Sequence, residues 1–482
     1  MKRILILAAI LALILTVFVA CGPANETTED EKQTTDESTT AAVTEEKPLV
    51  EGALTSSERA ALEAMVAENI ERAKVMGAST VSKYGVKVRG YYNVSRYYNP
   101  KSNMKSDTAS VWHYTAYYAM VSRLVDIAEG QKKDEYNELS NDVFKGFEMY
   151  SGTGNIITYL GTFERTLYGV NRGQKAGGSN IEGDQMVYDD QMWIVREMVY
   201  RYKQTGDVTY LNEATRLSDI LIQGWDFSLD KDGNEYGGIP WGPFYSNKHT
   251  CSNAPFIAPL VEIYEIKKEL GDPYADYYLN WATKIYDYCK KNLRLGSGLY
   301  ADSTGCNRTY QNNKYVTTGK TGFDGTTYSY NTGAMISGAA LLYRATENKI
   351  YLNDAKTSAR AAFSSFCKTT GSVPYYPNHT ETVWFNLVLM QGFLDLYEFE
   401  SELCEKYIMS FQNSYSYAYE NYLENGMLPR SFVNGWDMNN SFDSRSNVMD
   451  QASATQVFAM LALWAQDRLD ADDALLAANG IK

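Results

Sequence analysis

Histidine is nearly missing from this chain: His113, His249 and His379 are the only three in 482 residues. So thin a supply argues against a histidine-built zinc centre. Cysteine is also scarce. Six are present, at Cys21, Cys251, Cys289, Cys306, Cys367 and Cys404, and their spacing fits no metal motif. With Cys21 set aside the remainder is odd, so at least one has no partner within the chain. Positive charge is in deficit. Lys and Arg number 45 against 59 Asp and Glu, a formal net charge of -14. Long-range repulsion then disfavours nucleic acid and polyanionic glycans, and leaves neutral substrates open. Long apolar runs are missing too, apart from one at the amino terminus, so nothing else is expected to span a membrane. No cofactor and no metal are expected.

That single run sets the compartment. Lys2 and Arg3 precede residues 4 to 20, which are apolar and uncharged, and the run ends at Ala20-Cys21-Gly22. This is the form of a signal segment, and its end resembles a bacterial lipoprotein processing site. The expectation is lipidation of Cys21 and an exported protein, anchored at the outer membrane or cell surface; a plain spanning anchor is the alternative. Residues 22 to 49 are Thr, Glu and Asp with almost nothing to bury, which predicts a disordered acidic tether. Residues 50 to 482 are read as a single body and a monomer.

What is abundant is tyrosine, 39 residues of it, an amphipathic ring suited both to a helical core and to a sugar-binding surface. Apolar periodicity predicts twelve helices, over 56–77, 110–128, 134–150, 189–205, 208–223, 253–270, 273–292, 331–346, 351–367, 382–399, 402–423 and 451–467. Tight turns alternate with long polar loops at 151–188, 226–252, 293–330 and 424–450. Loops of that length inside a compact body tend to carry function. The stretches at 200–221, 264–289 and 343–367 echo one another, each a helix end, a short turn and a new helix with Tyr-Leu-Asn and an alanine. The unit is therefore a helical hairpin. Six of them closing on themselves give an all-alpha double ring, an (alpha/alpha)6 barrel; an open array is the alternative. The first helix of each pair is apolar on most faces and belongs in the inner ring.

Gly183-Asp184-Gln185-Met186-Val187-Tyr188-Asp189-Asp190-Gln191-Met192-Trp193 ends a polar loop and opens an apolar helix. Asp189 suits an N-cap and Asp190 the first turn, which would explain both acids without chemistry. Two neighbouring carboxyls also suit a retaining glycosidase, one as nucleophile and one as acid/base. Their proximity raises one pKa, as an acid working near neutrality requires. Tyr188, Gln191 and Trp193 supply stacking and hydrogen-bonding groups around them.

The segment Tyr188-Asp189-Asp190-Gln191-Met192-Trp193 resembles the paired-aspartate motif of glycoside hydrolase family 76, the endo-acting alpha-1,6-mannanases. Thr205-Gly206-Asp207 with Tyr210-Leu211, Gly237-Gly238-Ile239-Pro240-Trp241, Cys251-Ser252-Asn253-Ala254 and Tyr328-Ser329-Tyr330-Asn331-Thr332-Gly333 fit the same family. The resemblance covers most of 105–400. It implies an (alpha/alpha)6 barrel and retaining hydrolysis of alpha-1,6-mannan or mannooligosaccharides, with Asp189 the nucleophile and Asp190 the acid/base. It also implies that Gly237 and Gly238 let backbone approach the sugar beside Trp241, and that Asn253, Tyr328 and Asn331 face the cleft. Pro240 stands where the family usually has tryptophan. Asp324, in the loop Gly322–Gly325, is read as a ligand for sugar hydroxyls. Asp107 is read as a cap or a substrate ligand before an inner helix. Asp437 and Asp443 are read as turn formers or part of a solvated face.

Two other readings compete. Another glycan hydrolase or lyase on the same rings would act on acidic sugars, and no Arg or Lys cluster lies near the aspartates to receive one. A non-catalytic glycan-binding lipoprotein would need the aromatics but not the acids.

Overall fold

The structure is a computed structural model that describes residues 48–377, 382–429 and 446–481. The signal segment, Cys21 and almost all of the tether, together with His379, Asp437 and Asp443, lie outside the described residues. No helix among the described residues is long and apolar enough to cross a membrane.

Where the sequence suggests one body, the chain divides into two compact units. The smaller comprises 48–68 with 462–481. Within it Arg59 binds Asp472 at 2.8 Å and Asp473 at 2.6 Å, and the Leu54 N–H donates to Asp472 at 2.8 Å. The larger unit, 69–461, holds every functional residue discussed below.

Twelve α-helices occur among the described residues, and they alternate between two rings. The inner set is α2 (Val111–Ile127), α4 (Tyr188–Thr205), α6 (Ala254–Glu269), α8 (Ser329–Thr346), α10 (Trp384–Tyr397) and α12 (Val448–Ala478). The outer set is α1 (Ser56–Tyr84), α3 (Gly130–Gly146), α5 (Val208–Ile222), α7 (Ala275–Asn292), α9 (Lys349–Phe366) and α11 (Ser401–Tyr422). Burial separates them. Every residue of α8 from Ser329 to Leu342 is buried, whereas α9 buries one stripe: Tyr351, Asp354, Ala355, Ser358, Ala359, Ala362 and Phe366. Inner neighbours pack in the order α2, α4, α6, α8, α10. The circle closes through α12: the Val383 N–H donates to Asp450 at 3.0 Å, and the Gln456 amide donates to the Ala116 carbonyl at 3.2 Å. The fold is an (alpha/alpha)6 barrel, all-alpha in its frame.

The three sequence echoes are three copies of one turn. Gly206, Gly271 and Glu347 end their helices in the left-handed region, at φ of 71°, 72° and 55°. The next helix then starts at a polar side chain in two of them, with Asp207 accepting from the Thr209 N–H at 2.8 Å and Asn348 from the Ile350 N–H at 3.1 Å.

The long loops are not structureless. β4 (Ser151–Ile157) and β5 (Thr162–Tyr168) form a hairpin, and so do β7 (Ala301–Gln311) and β8 (Lys314–Thr327), with β6 (Lys248–His249) paired to β7. The β7–β8 turn is Asn312-Asn313, both at positive φ (51° and 63°), the two-residue geometry that matches strand twist. β1 (Gly85–Val88), β2 (Tyr91–Asn99), β3 (Met104–Thr108) and the later β11 (Ser446–Asn447) make a small sheet, and β9 (Lys368–Thr370) pairs β10 (Val373–Tyr375). Cys251, Cys289, Cys306, Cys367 and Cys404 are all unpaired.

Candidate active site

Helix α4 opens without a polar cap. Its N-cap position is Val187, and the exposed Tyr188 N–H is taken by the Trp241 carbonyl at 2.7 Å. Asp189 is therefore not the cap that spacing alone suggests: it sits in the first turn with Asp190, where the helix dipole favours both as anions. The two carboxyls are nevertheless unequal. Asp189 is half-buried, and it accepts from the Asp190 N–H at 2.9 Å and from the Trp241 indole N–H at 2.9 Å. Burial pushes its carboxyl up to about 6, against the opposing pull of Trp241, the Asp190 N–H, the Cys251 thiol and the charge of His249. Asp190 is 7 % exposed, and its carboxyl has no hydrogen bond among the described residues. Burial first, and the Asp189 charge second, hold it well above the ordinary carboxylate range. One acid is thus equipped to carry charge and the other to keep its proton.

An aromatic cluster includes a ring from the same helix. Trp193, one turn further along α4, meets the edge of Trp384 with ring centroids 4.4 Å apart, and Trp384 meets Trp112 at 5.3 Å. Tyr330 stacks near Phe385 at 3.9 Å, and Tyr328 lies 5.8 Å from the same ring. Beneath the tryptophans a cavity of about 40 Å³ runs to the buried Arg123–Glu197 ion pair, room for a few waters. Trp112 and Trp384 line it.

Several residues read from the sequence serve this site from behind. Tyr188 is 1 % exposed and packs toward Gly224. Gln191, fully buried, exchanges two hydrogen bonds with the Tyr168 backbone at 3.0 and 2.7 Å, which ties the β4–β5 hairpin to α4. Asn253, also fully buried, bonds Ile239 N–H and C=O at 2.8 Å each and the His249 carbonyl at 2.8 Å. It therefore clamps the segment that ends in Trp241. Gly237 and Gly238, at φ 68° and 77°, use their freedom to pass the Tyr288 ring, which a Cβ on Gly238 would meet at 2.4 Å. The close approach expected of a sugar is made by a side chain of the fold. Asp107 lies exposed on β3 at φ 53° and does not cap α2, whose N-cap is Ser110. Asn331 is fully buried, with neither side-chain atom partnered among the described residues.

Asp324 and Tyr328 lie close to one another and to Asp302. Asp324 is exposed and held by the Thr326 N–H at 2.9 Å, its carboxyl kept low by Thr326 and, more weakly, by His249. Tyr328 is the N-cap residue of α8 and feels both Asp302 and Asp324. Sequence reading overlooked His249, Asp302 and Tyr330. His249 Nδ1 lies 3.0 Å from Asp302 Oδ2, and its ring is 5.5 Å from Trp241. Pairing of β6 with β7 brings them together across 53 positions, a distance at which local spacing carries no signal. Tyr330 lies within the Tyr328–Gly333 motif, but its neighbours Cys251 and Phe385 come from distant parts of the chain. Among the described residues no three His, Cys, Asp or Glu side chains are gathered as a metal would require.

Trp241 is thus first a positioning residue. W241F is expected to lower kcat/KM about 10- to 100-fold, the worth of a hydrogen bond to a charged group. Without that donor the Asp189 pKa rises, so the acid limb of the pH profile moves to higher pH. A profile displaced downward but unshifted along the pH axis would refute this role.

The profile described as glycosyl hydrolase family 76 matches residues 78–471. No curated protein matches the chain. Among solved structures, a family 76 glycoside hydrolase from a bovine Bacteroides thetaiotaomicron strain is 25 % identical over 82 % of this chain and 78 % of that one, with a TM-score of 0.65. A family 76 mannosidase from Bacteroides thetaiotaomicron VPI-5482 is 23 % identical over 84 % and 100 %, TM-score 0.66. The alpha-1,6-mannanase of Salegentibacter sp. HEL1_6 is 21 % identical over 82 % and 99 %, TM-score 0.60. An inactive variant of that mannanase, with two consecutive aspartates changed to asparagine, has been solved in complex with alpha-1,6-mannotriose.

Proposed function

Because the chain belongs to glycosyl hydrolase family 76, we propose that it is an endo-acting glycoside hydrolase that cleaves alpha-1,6-mannosidic linkages in mannan with retention of configuration. The observation that carries this reading is the inequality of two adjacent acids at one helix start: Asp189 with two hydrogen-bond donors, Asp190 with none and buried. The family supplies the prior for hydrolysis, and the mannanases similar to this chain supply the substrate class.

In the first step the Asp189 carboxylate attacks the anomeric carbon while the bond to the glycosidic oxygen breaks, and Asp190 gives that oxygen its proton. The product is a mannosyl ester on Asp189 and a shortened chain. Asp190, now ionised, takes a proton from water, which attacks the same carbon and releases Asp189. The Trp241 indole N–H fixes one carboxylate oxygen of Asp189, and we assign Tyr328 and Asp324 to sugar hydroxyls. Neutral mannose suits the acidic mouth, where Asp302 and Asp324 would repel a uronate.

The test is hydrolysis of linear alpha-1,6-mannan followed by proton NMR. Oligosaccharides of several lengths should appear, and the first anomer detected should be alpha. A beta anomer first would overturn retention. Absence of products would overturn the substrate, and saccharide binding without hydrolysis would favour the glycan-binding reading.

A further inference from the structure

The segment after Trp241 is built to hold an aromatic ring in solvent. The Trp241 and Tyr245 rings are in contact at 4.7 Å between centroids, tilted by 45°, and Phe244 stands perpendicular to Tyr245 at 5.8 Å. The rings form a file that starts at the hydrogen bond from Trp241 to Asp189 and ends at Phe244, which is 62 % exposed. The exposure is not that of a loose loop. The Trp241 N–H is bound by the Asn247 carbonyl at 2.9 Å, and the Tyr245 N–H by the Gly242 carbonyl at 3.0 Å. Arg308 donates to the Pro243 carbonyl at 2.8 Å with its guanidinium 3.7 Å over Tyr315, and the Cys306 thiol donates to the Ser246 carbonyl at 2.9 Å. An exposed apolar ring whose flanking backbone is held on both sides, next to a candidate active site, leaves little loop freedom to be lost on binding.

We propose that Phe244 and Tyr245 form a stacking arm for a sugar residue of the polymer beyond the linkage being cleaved, and that its occupant is a neutral pyranose. The proposal rests on the glycosidase reading above. The C–H face of a pyranose covers an aromatic ring without needing a charge, and the file of rings is continuous with the acid pair. A charged occupant is disfavoured. The nearby cations are already engaged, Lys248 with Asp226 at 2.5 Å and Arg308 with the loop itself, while Asp302 and Asp324 contribute negative charge. Sequence spacing gave no hint of the arm, because Phe244 and Tyr245 fall in a polar, glycine- and proline-rich stretch without periodicity.

The test uses the full chain and a ladder of linear alpha-1,6-mannooligosaccharides up to the polymer. F244A and Y245A should each cost about tenfold in kcat/KM on the polymer and under about threefold on the shortest oligosaccharide cleaved, a stacking contact being worth about that much. F244W should restore the polymer rate and F244L should not, which separates ring stacking from bulk. Equal losses at every length, no loss on the polymer, or full rescue by leucine would overturn the arm. Should the wild type cleave no mannan at all, the glycosidase reading fails on its own. The arm is then judged by affinity electrophoresis through gels containing mannan, neutral glucan or a polyuronate. Retardation by a neutral polymer that F244A abolishes would support it. Retardation by the polyuronate alone, no retardation in any neutral gel, or indifference to F244A would overturn it.

Discussion

D190N should lose catalysis and gain stability, and the two effects should have different pH dependences. Asp190 has no hydrogen-bond donor among the described residues and is held well above the usual carboxylate range by burial and by Asp189. Its amide cannot protonate a leaving oxygen, so kcat on mannan should fall by about 10²- to 10⁴-fold, the range for loss of a general acid or base. D189N removes the nucleophile and should fall at least as far. The wild-type rate should be bell-shaped. It should rise as Asp189 ionises near pH 6 and fall at higher pH as Asp190 loses its proton. The stability effect follows from the same shifts. A carboxyl whose folded pKa is raised binds more protons folded than unfolded between the two values, so it costs stability as pH climbs above the unfolded value. At pH 7 that cost is present in the wild type and absent in D190N; at pH 4 it is largely absent from both. The Tm of D190N should therefore exceed that of wild type at pH 7, with the gap closing toward pH 4. A gap that widens on acidification, or a D190N enzyme within tenfold of wild type on mannan, would contradict the assignment of the acid.

The helical frame was legible because its periodicity is local. α5 shows Leu211, Ala214, Leu217, Ser218 and Leu221 at three- and four-residue steps, and those are the residues it buries. The hairpin repeat was legible through the turn at Gly206, Gly271 and Glu347, but its closure was not, because an open array carries the same repeat. The strands were not. β7 and β8 alternate Thr, Asn, Gly and Lys with few apolar residues, and most of β8 is exposed, so no period-two hydrophobic pattern exists to find. The Asn312-Asn313 turn was the one available cue. The acid pair was legible as chemistry, but its asymmetry was not. That asymmetry comes from Trp241, 52 positions away, delivered by a loop whose shape depends on Asn253. Gln191 was read as a contact to sugar because it adjoins the acids in sequence, and Asn253, Gly237 and Gly238 because the family resemblance implied it. In the structure their polar groups and their lack of Cβ are spent on backbone and on Tyr288. They keep the loop and hairpin in place, and the exposed ring of Phe244 beside them lies in no motif.

Breaking the Lys248–Asp226 pair should be the most damaging single change outside the acids. Lys248 Nζ lies 2.5 Å from Asp226 Oδ2, with side chains 4 % and 0 % exposed. Asp226 also accepts from Thr317 Oγ1 at 2.6 Å and from the Ser228 N–H at 2.9 Å. The pair closes the base of the loop between residues 226 and 248, from which Trp241 reaches Asp189, and Thr317 binds that base to β8. K248M leaves a buried carboxylate without its counter-ion, and D226N leaves a buried ammonium facing an amide. Either should cost about 3–5 kcal/mol in urea unfolding, whereas removing both charges together is often near neutral. The double variant K248M/D226N should therefore cost clearly less than the sum of the singles, a coupling visible in a double-mutant cycle. Activity should follow the loop. Each single variant should lower kcat/KM under conditions where the protein is still folded, because Trp241 is no longer held against Asp189, and the double variant should recover part of it. Additive losses would show that the two charges do not act on one another. Single variants within about 1 kcal/mol of wild type would show that the site tolerates an unpaired charge, which a dry interior does not.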